Sequence, residues 1–190
     1  MAVKKQWYEI ISPKLFGSKV IGETPASDVK ALVGRKVGVS FAELSGDFSK
    51  YYLRANLRVE SVNGDKALTA FVGHEIMRER LYRMVQRRAK KVDAIQDCKT
   101  KDGAKLRVKT VAIIRTKGGA SVKSAVRKKM KETVDAIVKE NTLDQIATMI
   151  FSGEFPQKIR QECKKISPVS AVEVRRTQLI TEKEKTETKE

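Results

Sequence analysis

Apolar and polar side chains alternate strictly over residues 51–62: Tyr51, Leu53, Ala55, Leu57 and Val59 fall on one face, and Tyr52, Arg54, Asn56, Arg58 and Glu60 on the other. A period of two marks a strand buried on one side, the usual state of an antiparallel sheet. Asn63-Gly64-Asp65 turns this strand into a second one over 67–72, because Gly64 can take a positive φ without steric cost. The hairpin pattern returns where 92–99 and 105–115 flank Lys101-Asp102-Gly103. Residues 111–114 are apolar throughout, so that strand is expected to be central. Val37, Val39 and Phe41 alternate in a shorter run, and 169–180 reads as a last strand beginning after Pro168.

Helical spacing takes over between these runs. Met77, Leu81, Met84 and Val85 recur at three- and four-residue intervals, as do Val122, Val126, Met130, Val134 and Ile137 within a long helix over 121–140. Two more helices are expected over 143–151 and 155–166, divided by Ser152-Gly153. Pro25 with Ser27 or Asp28 reads as the start of a short helix that stops at Gly34. Trp7, Tyr8 and Phe16, with Ile10 and Ile11, pack the N-terminal segment onto the body of the protein. The expected fold class is α+β: an antiparallel, barrel-like β core with packed helices. Residues 1–180 are expected to form a single domain, and 181–190, with no hydrophobic residue, a disordered charged tail.

Composition narrows the function. A 190-residue chain with 41% hydrophobic content builds a real core. No apolar run approaches the roughly 20 residues that span a bilayer, and nothing after Met1-Ala2-Val3-Lys4-Lys5 has the apolar core of a signal peptide. The expectation is a cytoplasmic protein with no membrane partner. Cys98 and Cys163 stand alone, without the pairing of a disulfide framework or a zinc site. Met77, Met84 and Met130 read as core packing and not as a cofactor box.

Charge changes the picture most. Residues 76–131 hold 19 Lys/Arg against 4 Asp/Glu, a net +15 of the chain's +17, while 1–75 carry +3 and 132–190 carry −1. Such an uneven distribution is the footprint of a polyanion-binding surface. On a helical wheel Arg80, Arg83, Arg87 and Lys90 share an arc away from Met77, Leu81, Met84 and Val85, and Glu79 is the lone acid over 76–92. Arginine's planar fork suits bidentate contact with phosphate. Arg78, Arg80, Arg83, Arg87, Arg88, Lys90 and Lys91 are therefore expected to form one RNA-binding patch, and Lys117, Lys123, Arg127, Lys128 and Lys131 a second. The second crowds lysines toward the start of its helix, against the helix dipole, where a bound anion would relieve the conflict. Tyr82 is the one aromatic in the block. Contact is thus expected with phosphate and sugar more than with bases.

Signs of catalysis are thin. The single histidine, His74, follows Val72-Gly73 and reads as a structural residue. Asp93 and Asp97 alternate on one face of a strand, but Lys91 and Lys99 make a surface charge ladder the better account. No nucleophile elbow, metal-binding histidine pair or nucleotide-binding loop is present, so neither cofactor nor metal is expected.

Several stretches together resemble a known family. They are Lys5-Gln6-Trp7-Tyr8 with Pro13, Phe16 and Ile21-Gly22-Glu23-Thr24; Leu32-Val33-Gly34-Arg35 and Val39; Ala42-Glu43-Leu44 with Gly46-Asp47; Phe71, Gly73, Arg78 and Met84-Val85; Asp102-Gly103; and Ile166-Ser167-Pro168. On these residues the chain is similar, over almost its whole length, to the archaeal and eukaryotic small-subunit ribosomal protein family S-three-a-e (eS-one), in its archaeal-length form. The resemblance implies a non-catalytic constituent of the small-subunit platform, near the mRNA exit side. Its implied partners are small-subunit rRNA near the 3′ end, neighbouring platform ribosomal proteins, and mRNA near the exit. The rival readings are a free-standing RNA-binding regulator and an RNA-modifying enzyme using His74 or the pair Asp93 and Asp97.

Overall fold

The alternation over 51–62 becomes β4 (Leu53–Asn63), in which Leu53, Ala55, Leu57 and Val59 are buried while Arg54 and Glu60 are exposed. Gly64, at φ 59, turns it into β5 (Lys66–Ile76). The computed structural model describes residues 5–115 and 119–180. The chain divides into two units, residues 1–74 and 75–190.

In the first unit the strand order is β2-β1-β5-β4-β3, with β1 (Gln6–Ile11), β2 (Val20–Ala26) and β3 (Lys36–Ser40). β1 runs antiparallel to β2 and parallel to β5, and β3 pairs antiparallel with β4. Tyr8, Ala26, Leu32, Val59 and Ala67 form its core, and the Phe16 ring meets Phe41 and Phe71 edge-on at 6.4 and 6.2 Å. The aromatic N-terminal segment packs as expected, but as a strand: Tyr8 and Ile10 point inward and Trp7 outward.

Three expectations are corrected here. Pro25 does not begin a helix. It lies in β2, an edge strand, where its missing N–H costs no ladder bond. The helix expected before Gly34 shrinks to one 3₁₀ turn, Val29–Ala31. Phe41 leaves the alternation of β3 to open α1 (Phe41–Ser45), and Tyr51 lies ahead of β4, exposed.

The second unit has an antiparallel arrangement of β6 (Lys90–Lys99), β7 (Lys105–Ile114) and β8 (Val169–Leu179), with β7 central. Val111, Ala112, Ile113 and Ile114 are all buried, as an apolar run on a central strand requires. α3 (Ala120–Glu140) packs on β6, α5 (Glu154–Lys164) packs on β8 and on α3, and α4 (Leu143–Ser152) connects the two helices. Val126, Met130, Phe155, Ile159 and Cys163 fill the core between them. The hairpin turn also positions a helix: the Asp102 carboxylate accepts the Leu143 N–H at 3.0 Å, beside a capping box made by Thr142 and Gln145. Gly153, at φ 92, closes α4.

The α+β class with a mostly antiparallel sheet is what the structure shows. Closure into a barrel is not, because the strand order within each unit is open. β2 ends its side with a proline, and β6 is flanked by α3, whose Arg127 donates to the Asp93 carbonyl. Both arrangements make part of an edge strand less open to further pairing. The expected tail over 181–190 lies outside the described residues.

Candidate nucleic-acid interface

α2 (Arg78–Met84) is shorter than the periodicity predicts. Met77 and Val85 are exposed, Leu81 and Met84 only half-buried, so the expected apolar arc does not enter a core. Met130 does, fully buried in α3. Arg78 opens α2 and Arg83 lies in its last turn, both exposed. Arg87 and Arg88 are off the helix, exposed in the turn that follows it, and Lys90 and Lys91 begin β6. The helix stops at Val85, whose ψ of 89 is not helical, and Arg88 adopts φ 69, a left-handed conformation, in the turn beyond it. Arg80 and Lys90 are half-buried, and the Arg80 guanidinium stands 3.7 Å from Glu173 of β8. Burial pushes the Glu173 carboxyl above its ordinary pKa, and Arg80 draws it part of the way back.

The second group lies on α3. Lys123, Arg127 and Lys131 are spaced by four residues and so form one stripe along the helix. The stripe runs beside β6: Arg127 Nε donates to the Asp93 carbonyl at 3.0 Å, and Gln96 Nε2 donates to the Lys131 carbonyl at 3.1 Å. Lys91 Nζ is 3.1 Å from the Asp93 carboxylate. Asp93 therefore links one cation of each expected patch, and the two patches meet along β6. Lys128 is exposed one position further round the helix. Among the described residues α3 has no acid in its first turn and no side-chain cap. Lys117 lies outside the described residues.

α5 adds cations that the block count passed over. Lys158, Arg160 and Lys164 are exposed on the side away from Phe155, Ile159 and Cys163. Glu162 bridges α5 to α3, 2.6 Å from Lys165 and 3.5 Å from Lys129, and the Lys165 hydrogen bond holds its carboxyl below the ordinary range. The signal was available as helical spacing, but pooling 132–190 set these cations against the acids of the C-terminal residues.

The residues considered for catalysis are placed otherwise. His74 is fully buried in β5. Asp93 pairs with Lys91, and Asp97 takes a two-pronged contact from Arg107 at 2.7 and 2.9 Å that holds its carboxyl below the usual value. These are rungs of a surface charge ladder. Both cysteines are buried thiols. Among the described residues, no group of three or more His, Cys, Asp or Glu could hold a metal, and no helix is long and apolar enough to cross a membrane.

Fold and surface together define an α+β protein whose outstanding chemical feature is a concentration of cations on α2, β6 and α3. The Ribosomal S3Ae family matches residues 2–183, and the chain belongs to that family. It is 39% identical over 176 residues to small ribosomal subunit protein eS1 of Sulfurisphaera tokodaii, covering 93% of this chain and 91% of the relative. The protein of the same description from Methanocaldococcus jannaschii is 36% identical over 178 residues, covering 94% of this chain and 80% of the relative. That of Saccharolobus islandicus is 37% identical over 176 residues, covering 93% and 85%. Family membership makes the chain a structural, non-enzymatic ribosomal protein of archaeal length.

Proposed function

We propose that the chain is a constituent of the small subunit of cytoplasmic ribosomes, on the platform near the mRNA exit side, where it binds rRNA close to the 3′ end through phosphate contacts. Residues 1–180 act as one ribosomal-protein domain in this reading, with neighbouring platform proteins and exiting mRNA as further partners. The observation that carries it is the stripe Lys123–Arg127–Lys131, joined through Asp93 to Lys91 at the start of β6. Side-chain acids compensate only part of this surface, and a phosphate backbone with its releasable counterions fits the remainder. Tyr82, exposed on α2, is the one aromatic ring in the segment, so affinity comes from phosphate and sugar more than from stacked bases. The names of these relatives, each a small ribosomal subunit protein, support the assignment to the small subunit.

The test has two parts. In sedimented lysate the chain travels with small subunits and stays bound through a moderate salt wash. Purified protein on folded rRNA loses affinity with a log–log salt slope of about −4, as expected for about five neutralised phosphates. A slope near zero removes the cationic face from the interface, and recovery away from ribosomes favours a free-standing regulator.

A further inference from the structure

Register alone defines the outward face of the first unit's sheet. Across β1 and β2, Trp7 lies opposite Pro25, Glu9 opposite Glu23, and Ile11 opposite Val20. Across β1 and β5, Glu9 lies opposite Lys66 and Ile11 opposite Leu68. Paired residues share a face, and the alternate set of Tyr8, Ile10, Thr24, Ala26 and Ala67 is buried. The outward residues therefore stand in three rows: an apolar row of Trp7 and Pro25, a charged row of Glu23, Glu9 and Lys66, and an aliphatic row of Val20, Ile11 and Leu68.

Two features of this face are unfavourable in the isolated chain. Trp7 is 63% exposed, Val20 59% and Leu68 37%, on the side of a sheet where polar residues normally meet water. Glu9 and Glu23 are also directly opposite each other, a like-charge pair that destabilises the strands it joins. Lys66 flanks Glu9 but stands two strands away from Glu23. A cation placed over the pair relieves the repulsion, and apolar side chains on either side of it cover the outer rows. A nucleic acid would set its phosphates against two carboxylates, so it is the wrong occupant. An exposed tryptophan beside apolar residues and a charged row is the anatomy of a protein interface.

We propose that this face docks an extended segment of another protein, with a Lys or Arg over Glu9 and Glu23 and apolar residues over Trp7 and over Val20 and Leu68. The proposal rests on the ribosomal reading only for where the partner is met, and no residue of the cationic stripe takes part in it.

The occupant is read by replacing Trp7, the chain's single tryptophan, with the photocrosslinker p-benzoylphenylalanine in the full chain, expressed in its native cells. Irradiation is expected to join position 7 to one partner peptide that carries Lys or Arg beside the crosslinked residue. Glu23→Lys in the same chain should lower the yield about tenfold or more. Crosslinks to RNA, to residues 181–190 of this chain, or to peptides without a cation overturn the proposal. So does a silent position 7, or a yield unchanged by Glu23→Lys. Sedimentation of the same crosslinker chain separates the two readings. A cation-bearing peptide captured away from ribosomes sinks the ribosomal assignment and leaves the docking face standing. A chain seated in small subunits with position 7 silent does the reverse.

Discussion

Arg127 of α3 donates its Nε hydrogen to the main-chain carbonyl of Asp93 on β6, at 3.0 Å. One nitrogen of the guanidinium thereby fixes helix to strand, and the group still has donors left to offer an anion. The Asp93 carboxylate holds Lys91 at 3.1 Å. A single residue of the sheet thus aligns cations that are 36 positions apart in sequence.

Arg127 should therefore respond differently to two substitutions. Arg127→Lys keeps the charge but loses the Nε contact, so stability should fall by about 1 kcal/mol while the salt slope of RNA binding hardly moves. Arg127→Ala should lose similar stability and make the slope shallower by about one. Denaturant unfolding and filter binding at several salt concentrations check both. An unchanged slope for Arg127→Ala would put this side chain off the RNA.

Glu173 gives a pH signature opposite to that of most paired carboxylates. Burial raises its pKa above the ordinary 4.5, with Arg80 opposing. A group with a raised folded pKa favours folding fully when protonated, below its unfolded value, and that contribution is lost as pH rises through the folded value. Glu173→Gln, a neutral isostere, should therefore melt no lower than the parent at about pH 7, with any advantage shrinking toward about pH 4. Arg80→Ala leaves the carboxylate without its cation and should cost about 1–2 kcal/mol at neutral pH and less in acid, a figure discounted because Arg80 is part exposed. Thermal melts across this range decide the matter. A Glu173→Gln variant less stable at neutral pH than in acid, relative to the parent, contradicts the argument.

Cys98 and Asp135 form another link between β6 and α3. The thiol donates to the Asp135 carboxylate at 2.9 Å, and Gln96 Nε2 reaches the same carboxylate at 3.3 Å. Burial first, and then Asp135, pushes the Cys98 pKa up to about 12, while burial takes Cys163 to about 11. At pH 8 the Cys98 thiolate is about one part in ten thousand. Folded protein should accordingly give almost no reaction with Ellman's reagent, and unfolded protein should release two equivalents, matching its two cysteines. Rapid labelling of one thiol in folded protein would show that the β6–α3 packing opens.

Legibility in the sequence followed the strength of one-sided burial. β4, β6, β7 and β8 were readable because a buried face imposes alternation, and because Gly64 and Gly103 punctuate the hairpins. β1 and β2 were not. Trp7 and Val20 are exposed apolar residues and Pro25 imitates a helix start, so the pattern there is blurred by the face argued above to await a partner. The cationic character of 76–131 was plain from counting, but its geometry was not. Extending α2 to Lys90 put Arg87 on a helix that had already ended at Val85, where ψ is 89. The link from Arg127 to Asp93 depends on how α3 settles against β6, which no local pattern encodes.

Arg88 supplies the sharpest separation of stability from binding. Its φ of 69 places a side chain with a Cβ in the left-handed region, at a cost of roughly 1–2 kcal/mol. Glycine takes that conformation freely, although its looser unfolded chain returns roughly 0.5–1 kcal/mol of the gain. Arg88→Gly should then be more stable by about 0.5 kcal/mol, while RNA affinity falls and the salt slope becomes shallower by about one. Arg88→Ala keeps the strain and removes the cation, so its stability should stay near the parent's and its affinity should drop as far as the glycine variant's. Stability and affinity moving in opposite directions at one residue is the expected result where a strained backbone is kept for the charge it presents. If Arg88→Gly melts lower and binds RNA as the parent does, the arginine serves the turn and not the RNA.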